Sequence, residues 1–312
     1  MLQSIVTSVT YRLNQRGDAL VICDSLWVYT PMSHLLPIQQ CYMLFIAFAH
    51  TFALQQQERT EFVAMASSSL SAWRTMSRRT RRIEERMLRM REIRNVLPQL
   101  SSFQSCAMIG CGAGAVELAF VRECFPNLTE LAAVEPDADM MADLKTNVSQ
   151  LIPTVSVDFY QETAESWAGF SGKLFDAVLM FHCLYYVPPS ERPGLFKKLF
   201  DHVLVSGGVV IILLSVRDLQ NRKGFHRLLR CLDIDGVQIC DTMTSVGFED
   251  CYQLEIECQL DVQEPNDDLM SAIMFMNEDK LSLEEVRRAV KEEFGDKKIV
   301  PHENWFGVFR KP

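Results

Sequence analysis

Disulfide and zinc spacing is missing from this 312-residue chain: its ten cysteines are scattered from Cys23 to Cys258 and none stands in a C-x-x-C pair. Several fall inside apolar runs that read as strands, which points to buried free thiols in a reducing, cytoplasmic compartment. Long hydrophobic runs are missing too. The most apolar stretch, residues 41–54, has 14 residues, whereas a membrane-spanning helix needs about 20, and it starts too late for an ordinary signal peptide. No membrane partner is expected. Positive charge is in short supply, with 31 Lys and Arg against 40 Asp and Glu and a net charge of −9. That balance argues against a nucleic-acid partner and suits attraction of a small cation. No Ser/His/Asp set is apparent, and no metal is called for.

What the chain does have is concentrated in the run AMIGCGAGAVELAF, residues 107–120, followed by LAAVEPDADM. Cys106 to Ile109 is a short apolar run that reads as a buried strand. Gly110, Gly112 and Gly114 then allow a tight turn and a close approach of backbone to ligand. The segment AVELAFVREC has helical spacing, and Glu135 follows Gly114 by 21 residues. A strand, a glycine turn, a helix and an acid at that distance form a nucleoside cradle in which the acid grips the ribose hydroxyls.

Dinucleotide sites favour a third glycine where this chain has Ala115. The G-x-G-x-G spacing instead resembles the loop of class I S-adenosylmethionine-dependent methyltransferases. The later run KLFDAVLMFHCLYYVPPSERPGLFKKLFDHVLVSGGVVIILLS is similar to the second half of such a domain. In it Asp176 opens a buried strand over Ala177 to Phe181, a helix ends near His202, and LVSGGVVIILL supplies a turn and a further strand. The resemblance covers roughly residues 100–215 and implies S-adenosyl-L-methionine as cofactor. It also implies an α/β Rossmann-like fold: a mostly parallel seven-stranded sheet, helices on both faces and a small substrate-binding lid.

A narrower resemblance rests on three pieces. IGCGAG, VEPDADMMADLK and CLYYV are similar to segments that occur in this order in the histamine N-methyltransferase family. The broad class carries an acid two residues before the first glycine, where this chain has Met108; the narrower family lacks it as well. The resemblance implies that Gly110, Gly112 and Gly114 pass under the cofactor, that Glu135 holds its ribose and that Met140 flanks the adenine. Thr163 and Ala164 take the place of an adenine-contacting serine. Phe181 and His182 end the strand facing the reacting methyl group, and Tyr185 and Tyr186 follow as catalytic-site aromatics. His182 stands where the family has a substrate-contacting glutamine; it is either a hydrogen-bonding or basic group, with an ordinary imidazole pKa of about 6.5, or a packed histidine. Glu85 is the implied partner of the substrate amine and Asn304 an implied substrate contact. The implied activity is N-methylation of histamine or a related small cationic amine or imidazole by a monomer. The alternatives are a methyltransferase with another small acceptor and a non-catalytic binding protein of the same fold.

With 48% hydrophobic residues the chain is long enough for one large α/β domain with a capping part. The expected organisation is an extension over 1–64 and a methyltransferase domain over 65–312. The latter divides into a helical cap (65–100), a cofactor-binding core (101–216) and substrate-side helices and last strands (217–312). The extension is open to three readings: a segment packed on the domain, a start codon assigned too early, with Met65 as the true start, or a membrane-associated piece. Between Arg74 and Arg94 lie nine arginines and three glutamates. Met76, Ile83, Met87, Met90, Ile93 and Val96 recur there at helical spacing and predict an amphipathic helix on the domain. Beyond residue 217, LDIDGVQICDTMTSVGF predicts a strand-like piece and a helix stopped at Gly247, EDCYQLEIECQLDV alternates as a strand, LSLEEVRRAVKEEFG predicts an amphipathic helix capped by Gly295, and NWFGVFRK a final strand.

Overall fold

The computed structural model describes residues 10–13, 19–23, 26–30, 91–167, 172–215, 220, 234–263, 269–270, 273 and 282–312. The chain divides into two compact units, Met1–Met65 and Ala66–Pro312. Within the first, β1 (Thr10–Leu13), β2 (Ala19–Cys23) and β3 (Leu26–Thr30) form an antiparallel sheet in the order β1-β2-β3. Runs such as ALVIC and LWVYT are rich in β-branched and aromatic residues and are separated by two residues, which suits a hairpin. The apolar run 41–54 lies outside the described residues.

The second unit is built on a seven-stranded sheet ordered β6-β5-β4-β7-β8-β10-β9. Its strands are β4 (Ser105–Ile109), β5 (Glu130–Val134), β6 (Ser156–Tyr160), β7 (Phe175–Phe181), β8 (Leu204–Leu214), β9 (Glu249–Asp261) and β10 (Ile299–Arg310). β4 to β8 are mutually parallel, and β10 runs antiparallel between β8 and β9. Central strands buried on both faces need continuous apolar runs, as Cys106–Ile109 and Ala177–Phe181 supply.

Strand alternation assigns each residue a face. Cys106, Leu179 and Leu213 pack with Phe120 and Val121 of α1 (Ala115–Cys124) and Leu144 of α2 (Ala138–Leu151). Ala107, Val178 and Leu214 pack with Trp167 of α3 (Ala164–Trp167), Phe196 of α4 (Arg192–Lys198) and Met243 of α5 (Gly236–Val246). Helices therefore cover both faces. Gly247 stops α5 in a left-handed conformation, and a Ser282–Glu285 capping box opens α6 (Leu283–Phe294).

The helical residues 91–96 place Ile93 in the core, but Val96 does not share the buried face expected for it: it is 54% exposed. Leu97, four residues after Ile93, is buried instead, and Pro98 begins a new 3-10 turn. The rest of the arginine-rich segment lies outside the described residues.

Two polar clamps hold the frame around the central strands. The Asp176 carboxylate of β7 accepts from Gln104 N, Ser105 N and Ser105 Oγ, each at 2.9 Å, fixing the start of β4 against β7. Buried Arg192 donates from Nε to the Val187 carbonyl at 2.9 Å, tying down the loop after β7. β4 and β7 are neighbours whose chains leave in opposite directions, to β5 and to β8. The crevice outside their carboxyl ends is where such sheets bind ligands.

Among the described residues no helix is long and apolar enough to cross a membrane. A chain beginning at Met65 is expected to fold without the first unit, melting cooperatively and binding S-adenosylhomocysteine with the full-length affinity. Aggregation of the shortened chain beside a soluble full-length one would show that the first 64 residues complete the core.

Candidate functional site

The loop after β4 carries Gly110, Gly112 and Gly114 at φ +60°, +53° and +75°, a conformation that costs any residue with a Cβ. Packing explains two of them. A Cβ on Gly110 would lie 2.5 Å from the Cβ of Cys183, and one on Gly114 would lie 2.5 Å from Leu144 Cδ1. Gly112 is different: its nearest neighbour would be Met140 Sδ at 4.0 Å. Space above Gly112 is thus left open beside a thioether, as a cradle for a bound group requires.

Glu135 closes that cradle from the end of β5 and is only 4% exposed. Its Oε2 accepts from Gly112 N at 2.7 Å and its Oε1 from Asp137 N at 3.0 Å. Burial pushes its carboxyl pKa above the ordinary value of 4.5, against the lowering effect of those two N–H donors. Asp137 in turn caps α2, accepting from Met140 N at 2.8 Å, which fixes Met140 beside the loop. Gly110, Gly112, Gly114, Glu135 and Met140 are therefore brought together. A buried carboxylate acceptor, a half-buried glycine loop and an apolar flank fit the hydroxyls and rings of a nucleoside.

Thr163 and Ala164 sit at the start of α3, after β6. The Thr163 hydroxyl lies 3.2 Å from Ser166 Oγ, and Ala164 packs against the core beside Trp167. At the end of β7, Phe181 and His182 part company. The Phe181 ring is in the core, with centroids 5.4 Å from Phe120 and 6.5 Å from Phe306, so its backbone is what reaches the crevice. His182 has φ +54°, the one positive φ outside glycine among the described residues. Strain of this kind clusters at ligand sites. Its N–H donates to the Leu213 carbonyl at 2.8 Å and its ring stacks on Tyr185, 6.4 Å between centroids at 21°.

Tyr185 and Tyr186 lie on a 3-10 turn, Leu184–Tyr186, held by the Tyr186 N–H on the Cys183 carbonyl at 3.0 Å. The Tyr185 hydroxyl accepts from the Ser215 N–H, linking this turn to the end of β8. Ser215 is buried, and it is not marked by any local pattern; only the β8 register brings it here. Asn304 of β10 is 2% exposed. Glu85 lies outside the described residues, as does most of the expected lid.

Cys111 and Cys183 flank the loop as packed thiols. Burial, followed by the nearby Glu117 and Glu135 carboxylates, pushes both pKa values well up, so neither is a nucleophile at neutral pH. No metal-binding group of side chains occurs among the described residues.

Residues 107–208 match the family model described as a methyltransferase domain. Among solved structures the chain is similar to a proposed methyltransferase from Bacillus halodurans C-125, with 12% identity, a TM-score of 0.51, and coverage of 71% of this chain and 99% of that one. It is also similar to the N-methyltransferase NodS from Bradyrhizobium japonicum WM9 in complex with S-adenosyl-l-homocysteine, at 16% identity and TM-score 0.42, covering 71% and 87%. Among curated proteins none is significantly similar in sequence. With its sheet order and glycine cradle, the chain carries a class I, S-adenosylmethionine-dependent methyltransferase domain.

Proposed function

We propose that the protein is a cytoplasmic, monomeric N-methyltransferase acting on a small cationic amine or imidazole, histamine being the reference acceptor. The observation that carries this reading is His182: a strained imidazole stacked on Tyr185 at the end of β7, one residue from Cys183, which packs against Gly110 of the cofactor loop. In this reading the Glu135 carboxylate takes the ribose hydroxyls, Met140 and Ala164 flank the adenine, and the backbone of Gly110 to Gly114 lies under the rest. Once bound, S-adenosylmethionine supplies a methyl group already activated by its sulfonium.

The chain's own contribution is then placement and dryness. Tyr185 and Tyr186 present aromatic faces to a cation, an attraction of about 1 kcal/mol or more when desolvated, and they exclude water. His182 Nδ1 or Nε2 is placed to hold the proton given up by the acceptor nitrogen, and Asn304 with Glu85 orients the far end of the acceptor. The presence of His182 where the resembled family has glutamine favours, as a second reading, an acceptor other than histamine.

Labelled S-adenosylmethionine with a panel of imidazoles, arylalkylamines and unrelated acceptors tests this. Transfer to histamine or a related amine is expected, with Tyr186→Ala raising the acceptor KM roughly fivefold or more, as loss of a cation–π contact implies. Labelling of protein, nucleic acid or carboxylates alone would overturn the assignment.

A further inference from the structure

We infer that Ser215 is a specificity residue whose hydroxyl hydrogen-bonds the methyl acceptor at an atom other than the one methylated. This rests on the small-acceptor reading above and adds to it a residue and the acceptor feature it reads.

Ser215 follows directly on β8 at the carboxyl edge of the sheet. Its place in the β8 alternation is that of Ile211 and Leu213, on the face that carries Phe181 and Phe306. The strand pairing fixes its place. Leu213 opposes Phe306 and Leu214 opposes Trp305, where the pairing ends; Ser215 is the next residue on one chain segment and Asn304 the next on the other. Two small polar residues, 0% and 2% exposed, thus flank the end of this pairing at the carboxyl edge of β8. Inward of them lies an aromatic cluster, Phe120 with Phe181 at 5.4 Å and with Phe306 at 5.9 Å.

The Ser215 main chain is engaged, its N–H donating to the hydroxyl of Tyr185, the residue whose ring stacks with His182. Its side chain is not engaged. Ser215 Oγ is buried and has no hydrogen-bond partner among the described residues. A buried hydroxyl without a partner is unfavourable, and one engaged only in packing gains nothing over alanine at that place. At the rim of the ligand crevice the cost is offset when a ligand heteroatom reaches it. The ligand this suits has a flat or apolar body for the aromatic rim and a polar atom displaced from the reacting nitrogen. An imidazole with a second ring nitrogen has that shape; a plain phenyl ring does not.

The test is calorimetric titration of wild type and Ser215→Ala, each saturated with S-adenosylhomocysteine, with histamine and with phenethylamine, which lacks the ring nitrogens. Removing the hydroxyl is expected to weaken histamine binding about tenfold, the range of one net hydrogen bond. Phenethylamine and S-adenosylhomocysteine affinities should stay within twofold, and the melting temperature should stay level or rise, because an unsatisfied hydroxyl has been removed. Equal histamine affinity in the variant would overturn the role of Ser215 while leaving the acceptor class standing. A lowered melting temperature with unchanged affinities would do the same, by showing that the hydroxyl serves the fold. Absence of both histamine and phenethylamine binding by the wild type would overturn the acceptor class, and absence of histamine binding alone would overturn the Ser215 contact, before any variant is compared.

Discussion

Gly110→Ala is expected to destabilise the protein by about 2–5 kcal/mol and to abolish cofactor binding in whatever fraction stays folded. Two independent costs add. An L-residue at φ +60° pays about 1–2 kcal/mol, and a Cβ placed 2.5 Å from the Cys183 Cβ overpacks a buried contact between the carboxyl ends of β4 and β7, typically about 1–3 kcal/mol. For a unit of this size the melting temperature should fall by roughly 5–15 °C. The two costs are separable. In a Cys183→Gly background the overpacking disappears and only the backbone strain is left, so the same Gly110→Ala change should cost about 1–3 kcal/mol less. Additive losses in that double-mutant cycle would mean that the β4–β7 approach does not set the loop.

The strand, glycine turn and helix of the proposed cofactor cradle are legible in the sequence because they are local. β4, the glycine turn, α1 and Glu135 lie within one strand-turn-helix-strand segment, and glycine spacing reports backbone conformation directly. The mostly parallel seven-stranded sheet is implied by the resemblance over residues 100–215, whereas the order of its strands is a property of the fold that no local pattern carries. The acceptor side was less readable. Phe181 and His182 are adjacent, and period-2 alternation sends their side chains apart, so only the register shows that Phe181 joins Phe120 and Phe306 in the core. Ser215 and Asn304 come to the same end of the sheet only because β8 pairs with β10, about 90 residues later in the chain, up to Leu214 and Trp305. No window of sequence contains both, and a lone serine after an apolar strand carries no signal. The amphipathic reading of Val96 failed for a similar reason: Pro98 ends the helix, and Leu97 takes the inward position. β1 to β3 are only four or five residues long, too short for periodicity alone to set them apart, although Gly17 lies between β1 and β2 and two residues separate β2 from β3.

Glu135→Ala should weaken S-adenosylmethionine binding by about 10- to 100-fold, the loss that accompanies hydrogen bonds to a charged acceptor, while the protein stays folded. The pH dependence makes the assignment sharper. Glu135 has a folded-state pKa raised above 4.5 by burial, so the folded protein holds this proton to higher pH than the unfolded chain. Its contribution to stability is therefore fully present below about pH 4.5 and is lost as pH rises through the raised folded value. Cofactor affinity should move the other way. The ribose hydroxyls donate to the carboxylate, so binding strengthens as Glu135 loses its proton over that same window and pulls its pKa down. Glu135→Gln keeps the side-chain size and a carbonyl acceptor for one of the Gly112 and Asp137 N–H groups but cannot ionise. Its affinity should be weak and flat with pH, and its stability should lose the pH dependence that the Glu135 proton gives the wild type. Calorimetric titration of both proteins with S-adenosylmethionine from pH 4 to 8, paired with thermal melts, reads all of this. A Glu135→Gln variant that binds as tightly as the wild type with the same pH slope would place the ribose elsewhere and sink the cradle as described.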